Sequence, residues 1–232
     1  MMDLQQHKFY ISQILTDIYS DKKLAHCLGF KGGTALMFFH SLPRFSVDLD
    51  FNLIDTSHSE EVYQKLRNIV LKYGRIHDEA QKFFGDILVL DYGLNQRKLE
   101  IDISHRQEND EYEIKNFLGI GIKVMNISDM FAHKFIALLG RKELANRDIF
   151  DCWFLMSKQT PINKQIVETK TNKPFADYLQ DCIDVLENYP KKSLLDRLGE
   201  LVDEDMKSFV KNKLQQETIT LLKLYQHFTL RN

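Results

Sequence analysis

FKGGTALMFFHSLPRFSVDLDF runs from Phe30 to Phe51. A glycine pair, Gly32-Gly33, stands just before an apolar run, and two aspartates, Asp48 and Asp50, alternate with Val47, Leu49 and Phe51. Residues two apart on a strand share a face, about 7 Å apart along the chain. The alternation therefore predicts a strand over 45–53. Its apolar residues enter the core while Asp48 and Asp50 project together. Two ionised carboxylates repel unless a cation lies between them. A hard divalent ion such as Mg2+ takes oxygen ligands, commonly one or two carboxylates plus substrate phosphates. The pair reads as a metal platform; the plainer reading is a solvated strand edge.

The glycines work with that reading. A short strand over 28–31 breaks at Gly32-Gly33, and Thr34 is placed to cap a helix over 35–40. Glycine lets a backbone approach a phosphate closely, and a helix N-terminus offers free N–H groups. Alone, the glycine pair reads as a turn. With the aspartates fifteen residues on, it sets a phosphate cradle beside a metal platform, the combination that phosphoryl and nucleotidyl transfer need. A third carboxylate is expected from a neighbouring strand. In RKLEIDIS, residues 97–104, Glu100 and Asp102 share a face between Leu99, Ile101 and Ile103. Asp102 is the first choice to complete a two-metal site and Glu100 the second, against the plainer reading of an exposed strand face.

The rest of the chain bounds the possibilities. Its 232 residues suffice for one large domain or two modest ones. A net charge of -2 excludes a general electrostatic affinity for nucleic acid, so any nucleotide site is local. The start, MMDLQQHKFY, lacks a basic segment followed by an apolar one, so no signal peptide is expected. No apolar run is long enough to span a membrane. Cys27, Cys152 and Cys182 are odd in number and widely spaced, which suits buried, reduced thiols in a cytoplasmic protein.

Periodicity predicts helices over 3–24 and 58–73, then strands over 86–92, 98–104, 111–116 and 121–126. GLNQR (93–97) and the acidic RQENDEYE (106–113) read as hairpin loops. Ser128 is placed as the N-cap of a helix through Arg141, and another helix covers 146–157. Beyond Pro161 the pattern is helical, with apolar stripes over Phe175–Leu186, Leu194–Leu201 and Ile219–Phe228. The fold class is α+β, with a small mixed sheet and a helical C-terminal half. The boundary lies near 127 or 157, and the domains are taken as 1–126 and 127–232. Lys158, Lys164, Lys170, Lys173, Lys191 and Lys192 are too scattered to mark a nucleic-acid track and read as a solvated face.

Taken together, KGGTAL (31–36), RFSVDLDF (44–51), HKFIALLGR (133–141) and NRDIFDCWFL (146–155) resemble the AbiEii/AbiGii toxin family. That family belongs to the nucleotidyltransferase superfamily with its DNA-polymerase-beta-like glycine and DxD signature. The resemblance covers residues 28–157. It implies a small mixed sheet flanked by helices, with a helical domain as the other wall of a cleft. It implies that Gly32, Gly33 and Thr34 hold the nucleotide triphosphate, with Lys31, Arg44 and Ser46 matching the surrounding pattern. Asp48 and Asp50 would bind Mg2+, Lys134 would contact phosphate, and Asp151 would be the acid of the last motif, with Arg147 and Asp148 one helical turn before it.

Physical readings stand beside these roles. Lys134 shares a helix face with Phe131 and Leu138, so it needs an anionic partner, either a substrate phosphate or Asp151; otherwise it snorkels to solvent. Arg147 and Asp151 are spaced for a helix salt bridge, and Arg44 is a candidate structural partner of Asp48.

The implied activity is transfer of a nucleoside monophosphate from an NTP to an acceptor, with Mg2+ as cofactor. The acceptor would be RNA, tRNA included, or a protein. The setting would be a toxin–antitoxin or phage-defence system with an antitoxin protein as partner. Two other readings use the same residues: a non-catalytic nucleotide-binding module acting through a partner protein, and a metal-dependent phosphohydrolase.

Overall fold

In the computed structural model the first half of the chain builds one seven-stranded sheet and the second half is helical. Residues 3–93, 97–141, 143–190 and 194–229 are described, residues 228 and 229 without their side chains. Both halves together make the mixed α+β fold that the patterning predicts.

The N-terminal helical pattern resolves into two helices, α1 (Leu4–Ser20) and α2 (Lys22–Cys27). Asp21 separates them. Its backbone is extended, and its carboxylate accepts from the N–H groups of Lys23 and Leu24, so it caps the second helix. Ile11, Ile14, Leu15 and Ile18 bury one face of α1.

The sheet then begins with β1 (Leu28–Lys31), α3 (Gly32–Phe39) and β2 (Leu49–Leu53). The strand expected over 45–53 is confined to its second half. The reason is the length of its neighbour: β1 pairs with β2 only from Leu28↔Leu53 to Lys31↔Asp50, because the chain turns into α3 at Gly32. Residues 45–48 have no ladder beside them on that edge. After α4 (Ser59–Val70) come β3 (Arg75–Lys82), β4 (Gly85–Asp91), β5 (Leu99–Ser104), β6 (Tyr112–Phe117) and β7 (Ile120–Met125). Their order across the sheet is β3-β4-β5-β2-β1-β7-β6. β2 with β5 and β1 with β7 are parallel; the other pairs are antiparallel.

That order corrects one expectation. RQENDEYE does not close a hairpin, because β5 and β6 lie on opposite sides of β2, β1 and β7, and the segment crosses between them. β4 and β5 are antiparallel partners, and residues 94–96 of the GLNQR connection lie outside the described residues. β3 escaped the periodicity reading. It is an edge strand, RIHDEAQK, exposed at nearly every position, so no face imposes alternation on it.

The second half holds α5 (Ile127–Gly140), α6 (Asn146–Ser157), α7 (Lys164–Thr171), α8 (Phe175–Glu187), α9 (Glu204–Asn212) and α10 (Leu214–Thr229). α5 starts one residue before Ser128, whose hydroxyl donates to Asp129 at 3.1 Å rather than capping. Residues 194–200 form turns, not the expected helix, although Leu194, Leu198 and Leu201 are buried. Arg197 there is left-handed, with φ 57°. By its internal contacts the chain divides into a sheet unit, 1–41 with 45–126, and a helical unit, 42–44 with 127–232. No helix among the described residues is long and apolar enough to cross a membrane. Cys27, Cys152 and Cys182 are buried free thiols.

Candidate active site

In the sheet unit, β2 lies between β1 and β5. Parallel pairing sets Asp50 directly beside Asp102, and antiparallel pairing sets Lys31 on the other side of Asp50. Directly paired residues leave a sheet on one face, so Lys31, Asp50 and Asp102 make a row across three strands. Phe51, Ile101 and Ile103 are fully buried on the opposite face, and strand alternation leaves the acids no other side. Glu100 is exposed, two residues back from Asp102 on the same face. Asp48 precedes Leu49, the partner of Ile101, just as Glu100 precedes Ile101. Asp48 itself lies just before the paired residues of β2.

The electrostatics follow from that arrangement. Burial pushes the Asp102 carboxyl above the usual carboxylate range, and the charge of Asp50 pushes it further, against the pull of Lys31. Burial likewise lowers the Lys31 ammonium below its usual value, while Asp50, Glu108, Asp102 and Asp110 favour its charge. Asp50 and Asp102 thus flank one lysine on these strands, with Glu100 exposed on the same face and Asp48 just before β2, and that excess of carboxylate oxygens suits a hard divalent cation.

The glycine turn is in contact with these acids. Gly32 is left-handed, with φ +82°, and a Cβ placed on it would lie 2.1 Å from Oδ2 of Asp50. Only glycine meets both conditions. α3 begins at Gly32 with Lys31 in the capping position and no side-chain cap on its first N–H groups. Thr34, expected as that cap, is fully buried, and its hydroxyl donates instead to the backbone carbonyl of Asp48. Gly33 is buried in the first turn. Ser46 is only 7% exposed, and its N–H meets the sulfur of Met37 at 3.4 Å. Both Thr34 and Ser46 are therefore part of the packing beneath the acids.

Asn52 lies on the same face of β2, one step beyond the row, and escaped the sequence reading. Its Oδ1 accepts from Lys31 Nζ at 2.5 Å, and its Nδ2 donates to Asp110 at 2.9 Å and to the Tyr112 hydroxyl at 2.8 Å. The signal was present: Asn52 continues the Asp48, Asp50 alternation by one more step.

The other predicted residues form a cluster inside the helical unit. Asp151, fully buried on α6, accepts two bonds from Arg44, from Nε at 2.6 Å and from the terminal nitrogen at 2.7 Å. Lys134 on α5 lies 2.9 Å from Asp151 and 3.7 Å from Asp148. Asp148 also accepts from Arg141 at 2.7 Å. Burial opposes the Asp151 charge, but Arg44 and Lys134 outweigh it and hold the carboxyl below its usual range. Burial likewise opposes the Lys134 ammonium, and Asp151 and Asp148 outweigh it and raise its pKa. Lys134 keeps 16% of its side-chain surface exposed. Arg147 is half-buried on α6; the helix pair expected between it and Asp151 gives way to Arg44 and Lys134 as the carboxylate's partners.

The scattered lysines behave as a solvated face. Lys173 pairs with Asp181 at 2.5 Å, and Lys158 and Lys164 lie over Phe154 and Phe175. Lys191 and Lys192 lie outside the described residues.

Comparison with known proteins gives a consistent picture. Residues 13–225 match the family described as nucleotidyl transferase AbiEii toxin, type IV toxin–antitoxin system. No curated protein matches the chain. Among solved structures, a candidate nucleotidyltransferase from H. pylori superposes with a TM-score of 0.65 at 18% identity, covering 100% of this chain and 97% of that one. JHP933 from Helicobacter pylori superposes with a TM-score of 0.58 at 18% identity, covering 100% and 99%.

Proposed function

The chain belongs to the family of nucleotidyl transferase AbiEii toxins of type IV toxin–antitoxin systems, and on that premise we propose that it transfers a nucleoside monophosphate from an NTP to an RNA or protein acceptor in a Mg2+-dependent reaction. The observation that carries this reading is the contact of Gly32 with the Asp50 carboxylate. It sets the uncapped start of α3, a place for phosphate oxygens, against an acid row fit for cations.

Asp48, Asp50 and Asp102 would hold two Mg2+ ions, with Glu100 at the edge of the row. Divalent cations held there would supply charge neutralisation to the entering and leaving oxygens of an in-line transfer. The residues of the chain do the positioning. The N–H groups after Gly32 bind the triphosphate, and Lys31, tied to Asn52, balances charge beside it. In the helical unit, Lys134 serves as the phosphate-contacting lysine of the family pattern, held in place by Asp151, which Arg44 grips in turn. The sheet unit serves as the nucleotidyltransferase domain and the helical unit as its companion, close to the domains 1–126 and 127–232 expected from the sequence. Buried free thiols support action in the reducing cytoplasm, and the family supports an antitoxin protein as partner.

Incubation with each labelled NTP, Mg2+ and total cellular RNA or protein tests the reading. The expected products are a labelled acceptor and pyrophosphate, both lost in Asp50→Ala. Free phosphate or free NMP without labelled acceptor identifies a phosphohydrolase instead, and NTP binding without turnover identifies a binding module.

A further inference from the structure

Asp50 and Asp48 are held by different means. Asp50 is laced into the sheet on both sides, opposite Lys31 and beside Asp102. Asp48 lies in the segment 45–48, before the ladder begins. Its backbone carbonyls are held by side chains. Thr34 donates to the carbonyl of Asp48, and His7 of α1 meets the carbonyl of Val47 through Nε2 at 2.8 Å. A metal ligand carried on unladdered backbone is only as well placed as such anchors make it.

The His7 anchor is itself fixed. His7 is fully buried. A carbonyl oxygen only accepts, so Nε2 carries the proton and donates to Val47. Nδ1 of the neutral ring then accepts, and it meets the hydroxyl of Tyr92, the residue after β4. Tyr92 in turn packs on Tyr10 of α1, with ring centroids 4.3 Å apart. The chain Tyr92 O–H to His7 Nδ1, His7 Nε2–H to Val47 carbonyl is satisfied at every atom, and it ends one residue before Asp48.

We propose that His7, oriented by Tyr92, is a positioning residue that sets the Asp48 carboxylate for cation binding. The inference rests on the reading of Asp48 as a metal ligand given above. It assigns a role to an N-terminal histidine and a tyrosine far from the glycine and aspartate motifs in sequence.

Mn2+ binding measured by calorimetry on the nucleotide-free protein tests it, beside thermal melting in a metal chelator. His7→Leu, which keeps bulk and removes the donor, is expected to weaken Mn2+ binding by about tenfold, the usual effect of losing a ligand's supporting group. His7→Gln, which restores an N–H donor, should recover affinity to within about threefold of wild type by the same reasoning. A folded His7→Leu that binds Mn2+ like wild type overturns the proposal, as does a His7→Gln no better than His7→Leu. If His7→Leu does not fold, Tyr92→Phe decides. Weakened Mn2+ binding with an unchanged melting temperature supports the relay, and unchanged binding overturns it. If wild type itself binds no Mn2+ and transfers no nucleotide, the fault lies with the nucleotidyltransferase reading rather than with His7.

Discussion

Asp50 and Asp102 stand side by side on adjacent parallel strands, and the charge of the one adds to burial in raising the carboxyl pKa of the other. An acid whose pKa is raised on folding costs stability wherever it is ionised, so neutralising it stabilises the fold. Asp102→Asn should therefore raise the melting temperature, by about 2 °C if the relief is roughly 1 kcal/mol in a chain of this size. The same change should reduce nucleotide transfer by more than about 100-fold, beyond the loss expected of a merely supporting residue. Mg2+ should raise the melting temperature of wild type and not of Asp102→Asn, since a ligand stabilises only the state that binds it. Melting curves and an incorporation assay check all three outcomes.

Gly32→Ala should be inactive and less stable. Its left-handed backbone costs an alanine about 1–2 kcal/mol, and the new methyl group would displace the Asp50 carboxylate it meets at 2.1 Å. Denaturant unfolding gives the first effect and single-turnover incorporation the second. A fully active Gly32→Ala would disconnect the turn from the acids.

Thr34 allows kinetic discrimination between two roles. If its hydroxyl anchors the Asp48 carbonyl, Thr34→Val lowers kcat while leaving KM for the NTP within about twofold, because it alters geometry rather than ground-state binding. Thr34→Ser should retain both constants. A rise in KM with kcat unchanged would return Thr34 to direct nucleotide contact.

Asp151→Ala should fail by unfolding rather than by lost chemistry. It takes their shared carboxylate from Arg44, 5% exposed, and from Lys134 beside it, and breaking a buried ion pair from one side costs about 3–5 kcal/mol. Chemical denaturation of the variant measures that loss.

The same carboxylate makes a pH prediction. Its folded pKa lies below the unfolded value near 3.8, because the cations outweigh burial. Its stabilisation is therefore present above that value and lost as the pH falls through the folded pKa. Acid unfolding of the helical unit should set in only below about pH 4 in wild type. The acid-sensitive component should shrink in Arg44→Met, followed by circular dichroism.

Much of the acid row was legible in the sequence because strand alternation is a local rule. Asp48, Asp50, Glu100 and Asp102 declare their faces by the apolar residues between them. What alternation does not encode is which strands become neighbours. The register Asp50↔Asp102 and the crossing of RQENDEYE come from sheet order, which is settled by packing over long range. β3 escaped notice for the opposite reason, having no buried face to impose a pattern. The anchors of Asp48 were least legible. His7 and Tyr92 lie 85 residues apart, and a polar residue inside an apolar helix face gives no hint of its partner.

Arg44 has its counter-ion 107 residues downstream, while Ser41 before it and Phe45 after it belong to the sheet unit. A ribosome adding about 5–20 residues per second needs roughly 5–20 s to deliver Asp151 after Arg44 has been made. During that interval the stretch leading into Asp48 carries a guanidinium that has yet to meet the Asp151 carboxylate. A fragment ending at residue 126 would carry Arg44 without Asp151, and a growing chain lacks this pair until its helical portion has been translated.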